Sequence, residues 1–211
     1  MSANRKAYIV GLTGGIASGK SAAAQHLQSL GAKCVDADEI SHRLTAENGD
    51  LLPAIREAFG DGVFFEDGTL NRRALGEAVF GDPAQRLLLD NVTHPAIQKA
   101  IMDEVEAYES EGAAAVVINV PLLFETGMDA LCDEVWLISL DPEIQKERLM
   151  LRDNLTEEQA EARIRAQMPL SEKEARASVV IDNRRTLEKT CSELTGLYNG
   201  LMKRLSRMEN E

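Results

Sequence analysis

The stretch Gly14-Gly15-Ile16-Ala17-Ser18-Gly19-Lys20-Ser21 decides the architecture, because every position of G-x-x-x-x-G-K-[ST] is filled. An apolar run at residues 8–12 precedes it, and a helix-forming run at 22–30 follows. This strand–loop–helix setting is the one the motif requires. Glycines let consecutive backbone N–H groups converge on phosphate oxygens, and the start of a helix adds its dipole. In that arrangement Gly14, Gly15, Ile16, Ala17, Ser18, Gly19 and Ala22 line the phosphates. Lys20 reaches the β- and γ-phosphates, and the Ser21 hydroxyl ligates Mg²⁺. Nucleotide binding follows from the loop, but the fate of the nucleotide does not.

Outward from the loop, residues 33–36, 114–120, 134–140 and 178–181 read as four more buried strands. Most are short runs rich in Val and Ile, as expected when both faces of a parallel sheet are covered. Helical stretches separate them, so the chain reads as α/β with a mostly parallel five-stranded sheet flanked by helices. Between the second and third strands lies a long segment of helical composition at 51–59, 71–80, 84–91 and 95–108. Gly60-Asp61-Gly62 and Gly81-Asp82-Pro83 interrupt it. A second insertion follows the fourth strand. Asp141-Pro142 opens a helix to Arg152, and Thr156-x-x-Gln159 and Ser171-x-x-Glu174 each resemble a capping box. The expected division is a core of residues 1–40, 113–142 and 171–211, a substrate insertion at 41–112, and a lid at 143–170. An ordinary surface hairpin is the competing reading of the last segment.

Composition narrows the function. A length of 211 residues fits one domain carrying insertions, and 44% hydrophobic with 27% charged residues excludes wholesale disorder. Aromatics are only 4%, too few for a platform that stacks single-stranded bases. Against 35 Asp and Glu there are 23 Lys and Arg, and the net charge of -12 repels nucleic acid and acidic membranes. No apolar run approaches the ~18 residues a membrane span needs, and Met1 to Lys6 leads into the glycine loop, unlike a cleavable signal. Cys34, Cys132 and Cys191 are scattered, odd in number and without CxxC spacing, which points to reduced thiols in the cytoplasm. A monomer is expected, not an obligate oligomer.

The D-x-x-G and N-K-x-D elements of a Ras-like GTPase are absent. The third strand ends on Asn119, where a motor ATPase would carry Asp. A small-molecule kinase fits a short chain with two insertions, since phosphoryl transfer needs an acceptor site and exclusion of water. Asp36 and Asp38 close the second strand, where carboxylates face the ligand crevice; either could accept a hydroxyl proton or serve as a helix N-cap. Arg148 and Arg152, four apart, share a helix face. They could neutralise charge in transfer, or pair with Glu143, Glu147 and Asp153 as a solvated face.

Taken together, Val10 to Ser21, Asp36-Ala37-Asp38-Glu39-Ile40, Leu70 to Leu75, Thr93-His94-Pro95, Val120 to Glu125, Arg148 to Asp153, Arg163 to Gln167 and Ile181-Asp182-Asn183 resemble the dephospho-coenzyme A kinase family. The resemblance runs from Ile9 to about Asn183. It implies a P-loop, nucleoside-monophosphate-kinase-like core with a helical coenzyme A domain and a lid. It also implies transfer from Mg·ATP to the ribose 3′-hydroxyl of dephospho-coenzyme A, so the expected partners are ATP, Mg²⁺ and that acceptor. By the same resemblance Asp38 is the base, Thr13 and Lys20 lie by the transferred phosphate, and Arg148 and Arg152 belong to the lid. Arg72, His94, Leu122 and Glu125 fall on the acceptor side. Three departures stand out: Ala17 for a loop glycine, Asn119 for an aspartate, and Asn71 for an acidic residue before the arginine. A positive φ at Ala17 would carry a strain cost. The competing readings are a related kinase for another hydroxyl and a nucleotide-binding module without catalysis.

Overall fold

The structure, a computed structural model, describes residues 7–208. Its centre is strand β1 (Tyr8–Gly14), in which every residue after Tyr8 is buried. β2 is Lys33–Asp36, β3 Ala115–Asn119, β4 Glu134–Ser139 and β5 Val179–Asp182. The five form one sheet in the order β2-β3-β1-β4-β5. β1 runs parallel to both β3 and β4, pairing Leu12 with Asn119 and with Trp136. β4 in turn runs parallel to β5. The strand bearing the glycine loop is therefore central, and the loop opens at its carboxyl end, where open α/β sheets hold their ligands.

Burial on both faces explains the unbroken apolar strands. Helices α1 (Lys20–Ser29) and α9 (Leu187–Met208) share a core with Val10, Leu12, Val117, Trp136, Ile138 and Ile181. α9 contributes Thr190, Leu194, Tyr198, Leu201 and Leu205, a spacing that lines one face of a helix. Its far end is locked by Glu134, whose carboxylate accepts from Arg204 at 2.6 Å, Trp136 Nε1 at 2.8 Å and the Tyr8 hydroxyl at 3.1 Å. Burial alone would raise the Glu134 carboxyl. The hydrogen bonds from Trp136, Arg204 and Tyr8 outweigh it and hold the group below its usual value.

After β4 come α6 (Pro142–Asp153), α7 (Glu157–Arg165) and α8 (Leu170–Arg176). Asp141 caps α6 by accepting from the Glu143 N–H, and Thr156 and Gln159 form the expected reciprocal capping box on α7. Lys146 of α6 reaches Glu157 of α7 at 2.6 Å, and Asp153 meets Arg163 at 2.7 Å, so ion pairs tie the two helices together. The second expected capping box does not form. The Pro169 carbonyl already accepts from Glu172 and Lys173, so α8 has begun before Ser171. Glu174 instead accepts from the Ser139 hydroxyl at 2.7 Å.

The chain divides into two compact units, residues 36–104 and the remainder. The first holds α2 (Ala37–Leu44), α3 (Leu52–Phe59), α4 (Arg72–Val79) and most of α5 (Pro83–Ser110). Asn71 caps α4 by accepting from the Ala74 N–H at 3.0 Å, a service that an acidic residue there would also perform. The sequence separates helices at 84–91 and 95–108, yet α5 is continuous, with Pro95 inside it. Proline deprives the Asn91 carbonyl of its helical partner, but both residues are exposed and water can serve that carbonyl. Ile97 and Ile101 stay buried and carry the packing.

Candidate active site

The loop leaves β1 at Gly14 and enters α1 at Lys20. Within it the Ser18 N–H donates to the Gly15 carbonyl at 3.0 Å. Ala17 takes φ 59 and Gly19 φ 94, so the chain visits the left-handed region twice in three residues. Glycine is obligatory at 19, because a Cβ there would collide with the Asn183 amide. At Ala17 no such allowance exists, and its backbone is strained.

Four carboxamides hold the loop from outside. Lys20 Nζ donates to Asn119 Oδ1 at 2.7 Å, where the buried Asn119 ends β3. Asn183, just past β5, donates to the Ser18 carbonyl at 2.7 Å and accepts from the Thr190 hydroxyl at 2.9 Å. The backbone of Ile16 is gripped on both sides of its Cα: its N–H donates to Gln167 Oε1 at 2.9 Å and its carbonyl accepts from Gln145 Nε2 at 2.8 Å. Ser21 lies exposed in the first turn of α1, and Ala22 beside it is partly covered.

Thr13 is fully buried and donates to the Pro121 carbonyl at 3.2 Å, fastening β1 to the turn after β3. On that turn Leu122 is exposed. Glu125 Oε1 accepts from the Met168 N–H at 2.9 Å and lies 2.7 Å from the Lys173 ammonium, whose side chain is 1% exposed. Arg148 is exposed on α6. Arg152, also exposed, is engaged by Asp153 at 2.7 and 3.1 Å, the ion-paired arrangement that competed with a nucleotide role. The Arg152 guanidinium in turn keeps the Asp153 carboxyl below its ordinary value. A cleft of about 470 Å³ opens beside Ser139, Asp141, Pro142, Asp182 and Arg184. Hydrogen bonds from the Arg184 side chain and backbone hold Asp182 down to about 2.

The remaining expected residues lie in the unit of residues 36–104. Asp36 is the N-cap of α2, accepting from the Asp38 and Glu39 N–H groups at 2.9 and 3.2 Å. The strand ends there, and Asp38 occupies the first helical turn with its side chain exposed. Arg72 donates to the Thr45 hydroxyl at 2.6 Å. His94 Nε2 stands 3.5 Å from Asp90 Oδ1 across one turn of α5. Sequence reasoning singled out no role for Gln145, Gln167, Asn183 or Lys173. Gln167 and Asn183 close two of the quoted motifs, and that position was the only signal available for them; Gln145 and Lys173 had none.

The comparisons agree with this geometry. A family model described as dephospho-CoA kinase matches residues 8–189. A dephospho-CoA kinase of Symbiobacterium thermophilum is 48% identical over 190 residues, covering 90% of this chain and 80% of the relative. Among solved structures, a Thermus thermophilus protein superposes with a TM-score of 0.80 at 34% identity, covering 93% of this chain and 99% of its own. The dephospho-CoA kinase of Campylobacter jejuni gives a TM-score of 0.63 at 27% identity, covering 93% and 98%. A complete phosphate loop at the centre of this sheet, in a chain matched almost from end to end, has one consistent meaning: the chain belongs to the dephospho-CoA kinase family, enzymes that phosphorylate dephospho-CoA with ATP in the last step of coenzyme A synthesis.

Proposed function

We propose that the protein transfers the γ-phosphoryl group of Mg·ATP to the ribose 3′-hydroxyl of dephospho-CoA, with Asp38 as the base. The observation that carries this reading is the complete phosphate loop, which leaves the central strand at Gly14 and enters α1 at Lys20. Lys20 Nζ donates to Asn119 Oδ1 at 2.7 Å, and Lys20 is the proposed contact to the β- and γ-phosphates. Backbone N–H groups of residues 15–22 are the proposed cradle for the β-phosphate. Thr13 is assigned to the surroundings of the transferred group, and its bond to Pro121 keeps that strand end in register.

Phosphoryl transfer asks the protein for positioning and charge, with little covalent work. Among the described residues no three His, Cys, Asp or Glu side chains gather into a metal site. The exposed Ser21 hydroxyl suits a Mg²⁺ that takes its other ligands from phosphate and water, the usual pattern for nucleotide-borne Mg²⁺. When bound, that ion withdraws charge from the β- and γ-oxygens. Arg148 and Arg152 are assigned to charge stabilisation from the lid at 143–170, with Arg152 exchanging Asp153 for phosphate. Arg72, His94, Leu122 and Glu125 are assigned to the acceptor. Asp38, exposed and with its backbone fixed by Asp36, takes the hydroxyl proton as the new P–O bond forms.

No helix among the described residues is long and apolar enough to cross a membrane. Cys34, Cys132 and Cys191 form no disulfide with one another, and we place the enzyme, as a monomer, in the cytoplasm. The test is ADP release from Mg·ATP with and without dephospho-CoA, with mass spectrometry of the product. A product heavier by one phosphate is expected. ATP binding without acceptor-dependent ADP would overturn the assignment of acceptor.

A further inference from the structure

We propose that Gln145 and Gln167 are positioning residues that set ATP affinity by clamping the two peptides that flank the Ile16 Cα. The N–H of the Gly15–Ile16 peptide donates to Gln167 at 2.9 Å, and the carbonyl of the Ile16–Ala17 peptide accepts from Gln145 at 2.8 Å. Together the two bonds fix the dihedral angles at Ile16, and rotation of either peptide would break one of them. The next residue, Ala17, sits at φ 59 without glycine's freedom. The loop therefore does not hold this shape by its own preference, and an external grip is needed before any phosphate arrives.

The surroundings are built for the grip. Gln145 is 6% exposed on α6, and Gly15 makes room for its amide, since a Cβ there would lie 2.6 Å from Gln145 Nε2. Gln167 is anchored through its neighbour: the Met168 N–H is held by Glu125, which also pairs with the buried Lys173. A small cavity of about 110 Å³ separates Gly15 from Lys173 and is lined by both glutamines. Both arms of the clamp come from residues 143–170, one on α6 and one just past α7, in the same segment that carries Arg148 and Arg152. Its placement and the loop's readiness for nucleotide are thus linked through one residue, Ile16. Neutral amides suit this place because they fix the backbone without adding charge where phosphate must sit.

The inference rests on the assignment of the loop to ATP phosphates, and the experiment separates the two. Gln167→Met and Gln145→Met remove the hydrogen bond while keeping bulk. ATP affinity is measured directly by calorimetric titration, alongside KM for ATP, KM for dephospho-CoA and the melting temperature. Each variant is expected to bind ATP about fivefold more weakly, the equivalent of ~1 kcal/mol. The loss should fall on KM for ATP and not on KM for the acceptor. The double variant should lose less than the product of the two, because both bonds fix the backbone of one residue, Ile16. Unchanged ATP affinity in the variants would overturn the clamp, as would a loss shared equally by both substrates or a fully multiplicative double variant. Should Gln145→Met fail to fold, Gln167→Met alone decides, since Gln167 is only partly buried. A wild-type protein that bound no ATP would sink the nucleotide assignment itself.

Discussion

Replacing Ala17 by glycine should stabilise the protein, and the size of the effect follows from one dihedral angle. Ala17 has φ 59, where an L-residue's Cβ crowds its own carbonyl at a cost of roughly 1–2 kcal/mol. Glycine removes that cost but loosens the unfolded chain, which returns about 0.4–1 kcal/mol. The difference is close to 1 kcal/mol in favour of Ala17→Gly. For a chain of this length that corresponds to a rise of about 2–4 °C in Tm. Asn154 supplies an internal comparison. It caps α6 at φ 51, and asparagine tolerates the left-handed region better than alanine does. Asn154→Gly should therefore shift Tm by less than Ala17→Gly. Thermal melts of the three proteins without nucleotide make the assay. An unchanged or lower Tm for Ala17→Gly, or a larger gain for Asn154→Gly, would refute the claim that the loop is strained at Ala17.

Lys20→Ala should weaken ATP binding and reduce turnover together; unaltered kinetics in that variant would remove the loop from the site. Asp38→Asn is expected to lower kcat by a factor of about 10²–10⁴, the range for a lost general base, with ATP affinity nearly intact, and near-normal turnover would exclude Asp38 from that role. Glu134 is held below its usual value of 4.5, so its contribution to stability is complete above that pH and is lost as pH falls through the folded-state value. Wild-type Tm should therefore drop more steeply than that of Glu134→Gln between about pH 5 and pH 3, and parallel curves would contradict the network. Lys173→Met should lower stability, because Glu125 loses its buried partner, while Lys173→Met with Glu125→Gln should recover much of the loss; equal melting points for the single and double variants would argue that the pair does not act as a unit.

The parts of this fold that the sequence made legible are those in which one local pattern had one structural meaning. The five strands could be located within a residue or two because most are short Val- and Ile-rich runs between turn signals. Asp141-Pro142 and Thr156-x-x-Gln159 marked helix starts because capping is local chemistry. Where two local readings competed, the sequence could not choose. Asp36 and Asp38 fit a continuing strand as well as a capped helix, and only the pair of N–H groups on Asp36 shows that the helix wins. Ser171-x-x-Glu174 satisfied the capping pattern yet lies inside α8, since the turn from Pro169 starts the helix sooner. Pro95 suggested a break that a solvent-facing helix surface did not need. Least legible were Gln145, Gln167 and Lys173. Their partners lie 129, 151 and 48 positions away along the chain, and no spacing rule reaches that far.

The four carboxamides around the loop explain why Asn119 need not impair the enzyme. A carboxylate at that position would satisfy the Lys20 ammonium equally well, but it would also offset the charge that draws phosphate in. Two opposite charges about 4 Å apart attract by roughly 4 kcal/mol at an effective dielectric of 20. In a chain whose net charge is -12, positive potential at the loop is scarce. Asn119, Asn183, Gln145 and Gln167 each make the bonds that the backbone or lysine requires and leave that potential untouched. Under the proposed function, Lys20 would give a phosphate oxygen the hydrogen that Asn119 now accepts. An amide at 119 then opposes that contact less than a carboxylate would, because it brings no negative charge to the loop.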